Sequence, residues 1–145
     1  MGTIVVGVDG SQCSRKALSW ATDEAALRGA DLLIVHTWQI PVMAGSEMVY
    51  VAPPNRAAIR TDVRVGVQTL VDETGVEGRG VPYTIELAEG RAGAELVRLA
   101  ATADLLVVGS HGAGTVHELL LGSTSNYCVH HAPCPIVVVR TKATK

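Results

Sequence analysis

From Val107 to Tyr127 the chain reads "VVGSHGAGTVHELLLGSTSNY": an apolar run, then four glycines, two histidines and a group of hydroxyl residues. Gly109 and Gly112 stand directly behind the apolar run, and Gly122 comes just before Ser123, Thr124 and Ser125. A glycine at the end of a strand permits a sharp turn or a close approach to the backbone. Successive N–H groups around Gly112 and Gly114 would form a concave nest for an anion. A helix opening at Gly122, Ser123 and Thr124 would add unpaired N–H donors, a positive dipole end and two hydroxyls. Two anion-binding points in one loop suit a polyphosphate better than a single carboxylate. The architectural alternative is that Gly109 and Gly112 serve a tight turn and Ser123 only caps a helix. Residue types alone leave these two readings level.

Asp9 poses the same choice at the end of "VVGVDGS". It could cap the next helix together with Ser11, or hydrogen-bond the base or sugar of a ligand. Two other phosphate motifs are excluded. No GxxxxGK[ST] occurs anywhere, and the first turn, "GVDGSQCSRKA", lacks GxGxxG. Phosphoryl transfer needs a group to position water and cations to stabilise the transferring charge. Within the loop the candidates are His111, His117 and Glu118, and no lysine or arginine lies between Arg98 and Arg140. No catalytic residue is assigned, since loop histidines are more often polar cover.

The loop must be held by the elements around it. Apolar, β-branched segments cover residues 3–8, 31–38, 81–87, 104–109 and 135–140. "TIVVGV", "LLIVHTW", "LLVVG" and "PIVVV" are nearly continuous runs, the pattern of strands buried on both faces of a parallel sheet. Helical spacing lies between them. From Ser11, a candidate cap, to Arg28, the residues Ala17, Trp20, Ala21, Glu24 and Ala25 follow the three-four rhythm. From Arg56 to Thr74, Ile59, Val63, Val67, Leu70 and Val71 make a stripe, and from Ala92 to Ala101 it is Leu96, Val97 and Ala100. A short last helix runs from Ser123 or Thr124 to about His131, before Pro133. Strict alternation of strand and helix predicts an open α/β sheet with right-handed crossovers. Long connections from Gln39 to Pro53 and from His111 to Leu121 both follow strands, at the carboxyl edge where ligands of such sheets bind.

Composition narrows the partners. The 145 residues are 48% apolar and 18% charged with net charge −2, so one globular domain is expected, without the basic footprint of a nucleic-acid binder. Two Trp, three Tyr and no Phe leave little for a base-stacking surface. No apolar stretch approaches the roughly 18 residues of a membrane span. The first residues lack the basic, then apolar, order of a secretory signal, so a cytoplasmic location is expected. Cys13, Cys128 and Cys134 are odd in number and irregularly spaced, which suits small core thiols in a reducing compartment. His130, His131 and Cys134 could ligate a metal. Neighbouring histidines at a helix end more often face its exposed carbonyls, and no metal site is assigned.

On these residues the chain resembles the universal stress protein domain, in its ATP-binding branch. "GSHG", nine residues and then "GS" (Gly109, Gly112, Gly122, Ser123) match that branch's phosphate motif. "IVVGVDGS", "LLIVHTW" and "HHAPCPIVVVR" also stand where the family has them, and the resemblance spans essentially the whole chain, weakest from Gln39 to Arg60. It implies a Rossmann-like, open five-stranded parallel sheet of order 3-2-1-4-5 with helices on both faces. Asp9 and Gly109 then share the crevice where the strand order reverses.

The ligand-contacting set it implies is Gly7, Asp9, Thr37, Val108, Gly109, Gly112, Gly114, Gly122, Ser123 and Thr124. Asp9 and the backbone near Gly7 and Thr37 would meet adenine or ribose; Gly109, Gly112, Gly122, Ser123 and Thr124 would hold phosphates. Thr37 replaces the family's usual aliphatic residue, a change that a backbone contact tolerates. His111 and Ala113 make the loop less basic than the arginine-rich form, with His117 as a partial substitute. The implied cofactor is ATP, with Mg²⁺ expected on charge grounds, and the implied partner is a second copy paired through the strand from Pro135 to Arg140. That strand is apolar and short of edge-protecting charges. The leading expectation is an ATP-binding regulator or sensor in stress response with slow or no hydrolysis. A nucleotide-using hydrolase and a nucleotide-independent dimeric scaffold remain as alternatives.

Overall fold

The computed structural model describes residues 2–39, 55–112 and 121–141. Its strands are β1 (Thr3–Gly7), β2 (Asp31–Trp38), β3 (Tyr83–Glu89), β4 (Leu105–Gly109) and β5 (Ile136–Val139). Its α-helices are α1 (Gln12–Arg28), α2 (Arg56–Thr74), α3 (Ala92–Leu99) and α4 (Ser123–His131). The strands form one parallel sheet in the order β3-β2-β1-β4-β5. This is the expected open, Rossmann-like topology.

The continuous apolar runs feed two cores at once. Ile4, Val6, Leu32, Ile34, Leu105 and Val107 face one layer, where they pack with Ala17, Leu18, Ala21 and Ala25 of α1 and with Val67, Leu70 and Val71 of α2. Their neighbours Val5, Val35, Leu106 and Val108 face the other layer, against Leu96, Ala100 and Cys128 from the α3 and α4 side. Alternate residues thus point to opposite faces, both apolar because both are covered. Sequence spacing placed Trp20 in the buried stripe of α1, but it is 37% exposed and Leu18 takes the core position. On α2 only Val67, Leu70 and Val71 are buried; Ile59 and Val63 are half-buried.

Element ends are set by local chemistry. The Ser11 hydroxyl accepts the Ser14 N–H at 3.2 Å to open α1, and Asn55 Oδ1 accepts the Ala58 N–H at 3.1 Å to open α2. Both helices close on a glycine in the left-handed region, Gly29 (φ 65°) and Gly75 (φ 77°). The third strand was expected over residues 81–87 but runs Tyr83–Glu89. Pro82 has no N–H to give the ladder, while at the other end Thr37 and Trp38 continue to pair with Ala88 and Glu89. The remaining boundaries move by a residue or two. β1 stops at Gly7, β4 starts at Leu105, β5 loses one residue at each end, and α3 passes into a 3₁₀ turn at Ala100–Thr102.

The carbonyl of Ser110 joins β4 to α4. It accepts the Gly122 N–H at 2.7 Å and the buried Ser125 hydroxyl at 2.7 Å. Replacing Ser125 by Ala removes one of these bonds, and we expect a loss of about 1 kcal/mol. Urea unfolding at unchanged m-value reads it; an unchanged midpoint would mean the bond contributes nothing net.

Cys128, fully buried on α4, has its thiol pushed up by burial to about 11 from an ordinary 9.0. The raised value belongs to the folded state, so this contribution to stability is complete below pH 9 and lost as pH rises towards about 11. Subtracting the stability–pH curve of Cys128→Ala from that of the native chain should expose a decline confined to that window. A flat difference would contradict the assignment.

Candidate functional site

The strand order reverses between β1 and β4, and a cleft of about 250 Å³ opens at their carboxyl ends. Gly7, Val35, Leu96 and Val108 make its apolar part. Asp9, Thr37, His111, Gly112, Gly122, Ser123 and Thr124 make the polar rim. Of the residues assigned from sequence, Gly7, Asp9, Thr37, Val108, Gly109, Gly112, Gly122, Ser123 and Thr124 all line this one cleft. Gly114 lies outside the described residues, as do Ala113, His117, Glu118 and most of the connection from Gln39 to Pro53.

The motif glycines are there for close approach, not for unusual turns. Gly109, Gly112 and Gly122 are absent from the positive-φ glycines of the chain. A Cβ on Gly109 would sit 3.0 Å from the Cys13 carbonyl carbon and 3.1 Å from its Sγ. On Gly122 it would lie 3.0 Å from His111 Cα, and on Gly112 it would collide with Asp9 Oδ2. A Cβ on Gly7 would reach within 2.8 Å of Leu96 Cδ1. Neither Gly109 nor Gly112 is required for a left-handed turn. The room at Gly109 is used by α1, while its backbone still forms part of the cleft wall.

Asp9 supports the α1 cap and also lines the cleft. Its Oδ1 accepts the Ser11 N–H at 2.9 Å and the Ser11 hydroxyl at 2.5 Å, orienting the residue that caps α1. Its Oδ2 lies against Gly112 on the cleft side. The Asp9 N–H reaches Ser14 Oγ at 3.2 Å, and the His36 Nδ1 lies 2.8 Å from the Val8 carbonyl, so the ends of β1 and β2 are tied together under the site.

The start of α4 is open. Gly122, not Ser123, is the N-cap, and no side chain caps the helix. Ser123 and Thr124 make no side-chain hydrogen bond among the described residues, and the first turn's N–H groups have no helical partner. Ser123 is exposed and Thr124 half-buried, so both hydroxyls can meet a ligand. This end of the cleft offers several donors and a positive dipole end, and among the described lining residues it meets no Lys or Arg.

Behind the loop, Cys13 Sγ lies 3.4 Å from Ser110 Oγ and 3.2 Å from the Val139 carbonyl, and Ser110 Oγ lies 3.0 Å from His111 Nδ1. Burial alone would raise the Cys13 thiol. Hydrogen bonding from the Ser110 side chain and from the backbone at His111, Ser110 and Thr141 outweighs it and holds the thiol below its ordinary value. Sequence reasoning missed this cluster because its members are 97 and 126 positions apart. It also missed Arg91, which lines a second cavity joined to the first.

A profile of the Universal stress protein family matches residues 1–140. A universal stress protein of Thermus aquaticus is 35% identical over 142 residues, spanning 95% of this chain and 98% of that protein. One from Mycobacterium tuberculosis is 34% identical over 137 residues, spanning 94% of this chain but 45% of that protein, so the chain is about half the length of this relative. The crystal structure of a universal stress protein in complex with cAMP superposes with a TM-score of 0.68 at 25% identity, covering 97% of this chain and 98% of that one. Sheet order, glycine-lined crevice and sequence similarity agree, and the chain belongs to the universal stress protein family.

Proposed function

We propose that the cleft binds an adenine nucleotide, ATP with Mg²⁺, and that the protein acts as a nucleotide-dependent regulator or sensor in stress response. The observation that carries this reading is the uncapped start of α4, whose N–H groups and two unpaired hydroxyls open onto an apolar cleft. Phosphates belong at Gly109, Gly112, Gly122, Ser123 and Thr124, and at Gly114, which lies outside the described residues. Base and ribose belong against Val35, Leu96 and Val108, beside Asp9, Gly7, Val8 and Thr37. The cAMP bound by the similar protein supports the adenine assignment. Asp9 is the carboxylate of the described lining. Mg²⁺ carried by a nucleotide is held mainly by phosphate oxygens and water, which suits a site with so few acidic ligands.

The described cleft holds no Lys or Arg to stabilise transferring charge, so turnover should stay below about one per second, under the usual enzymatic range. No helix of the described residues is long and apolar enough to cross a membrane. We assign the protein to the cytoplasm and give it no nucleic-acid partner. The scaffold reading is favoured by one fact: Gly109, Gly112 and Gly122 are all needed for contacts within the chain.

Mass spectrometry of the small molecules released on denaturing fresh protein decides between these readings. We expect ATP at close to one per chain, lost in Ser123→Glu. That variant places a carboxylate where the phosphates would sit, while a negative charge in the first turn favours the helix. An empty protein that also ignores added ATP would leave the scaffold reading.

β5 pairs only with β4 in the sheet, and all four of its residues are half-buried. We assign a homodimer paired through this strand, whose sedimentation at micromolar concentration should give twice the 15.2 kDa chain mass. A sharp monomer would overturn it.

A further inference from the structure

A second cavity of about 550 Å³ adjoins the cleft and shares Thr37, Ala92, Ser123 and Thr124 with it. The shared residues span the length of the proposed ligand: Thr37 stands at the base end, Ser123 and Thr124 at the phosphate end. The space between them flanks the ribose. The second cavity adds Arg91, Gly93 and Tyr127, with Tyr127 packed so closely on Gly93 that a Cβ there would lie 2.8 Å from its ring.

The side chains of Thr37, Arg91, Ser123 and Thr124 make no hydrogen bond or ion pair among the described residues. Arg91 has two acidic neighbours in sequence, yet both are committed elsewhere. Glu89 pairs with Arg56, and Glu95 holds Arg98 Nε at 2.9 Å and Nη2 at 2.6 Å. Arg91 thus brings an uncommitted guanidinium to the edge of a site whose glycine loop lacks one. A guanidinium is suited to a phosphate monoester by its fork of donors and permanent charge.

We propose that this second cavity is a subsite for a phosphate esterified to the ribose, recognised by Arg91, so that an adenosine nucleotide with a 2′- or 3′-phosphate binds more tightly than the same nucleotide without it. The inference rests on the nucleotide-binding reading of the first cleft. Arg91 separates ligands by what the ribose carries, whereas the α4 end holds whatever the 5′ position carries.

Isothermal titration calorimetry of the full chain with AMP, adenosine 2′,5′-bisphosphate and adenosine 3′,5′-bisphosphate tests it. One bisphosphate should bind about ten-fold or more tighter than AMP, the size of a charge-assisted contact. Arg91→Ala should abolish that advantage and leave the AMP affinity unchanged, and Arg91→Lys should keep part of it. Arg91 is exposed and its side chain makes no cap bond to α3, so the fold does not depend on it. Arg64→Ala, an exposed residue of α2, controls for net charge. Equal binding of AMP and both bisphosphates would overturn the subsite while leaving the nucleotide reading intact. So would an equal loss for AMP and bisphosphate in Arg91→Ala, or the same loss in Arg64→Ala. A wild-type chain that binds ATP but none of the three would overturn the subsite, and one that binds neither them nor ATP would defeat both readings.

Discussion

The Ser110 carbonyl is the point on which the site depends. It sits one residue beyond β4 and receives the Gly122 N–H and the Ser125 hydroxyl, both at 2.7 Å. These two bonds fix the start of α4 against the end of the central sheet. They also use Ser125 inward, so that Ser123 and Thr124 are left facing out. Gly122 then serves as an N-cap without a side chain, and the first turn's donors stay open. A serine or aspartate at position 122 would satisfy one of those donors internally and would clash with His111.

Dense packing surrounds this open end. α1 comes so close to β4 that only glycine fits at 109, and Leu96 so close to β1 that only glycine fits comfortably at 7. The same backbone economy that admits a ligand is required by neighbouring side chains, so glycine counts do not separate a binding site from tight packing. Unsatisfied polar groups do. A buried or lining donor without a partner is costly unless water or a ligand meets it. Among the described residues the buried side-chain donor without a partner is Trp38 Nε1, which lines the second cavity, while the open donors of α4 and Arg91 reach solvent.

The charge pattern fits binding better than rapid chemistry. The cleft couples one carboxylate, Asp9, which also orients the α1 cap, to neutral donors of the backbone and hydroxyls. The Cys13, Ser110 and His111 contacts run from the loop to the Val139 carbonyl of the edge strand. Ser110 and β5 are therefore tied together through Cys13.

Much of this was present in the order of residues. Two-sided burial in a parallel sheet demands unbroken runs such as "TIVVGV" and "LLVVG", so the strands and their class could be read directly. The spacing of Gly109, Gly112 and Gly122, with Ser123 behind, pointed to residues that line one cleft, because a loop that touches backbone on both sides can carry few side chains. Local spacing could not settle what each residue touches. Trp20 has the helical rhythm of a core residue yet is exposed, since which side of α1 meets the sheet depends on the crossover. That Asp9 lies against Gly112, more than a hundred residues away, could not be read from local spacing either. Arg91 lines the second cavity because parallel pairing of β2 with β3 brings the turn after Glu89 beside Thr37 and α4. Local periodicity records how each segment is buried, because burial acts residue by residue. Which distant groups become partners is set by the strand order, and that exists only in the folded chain.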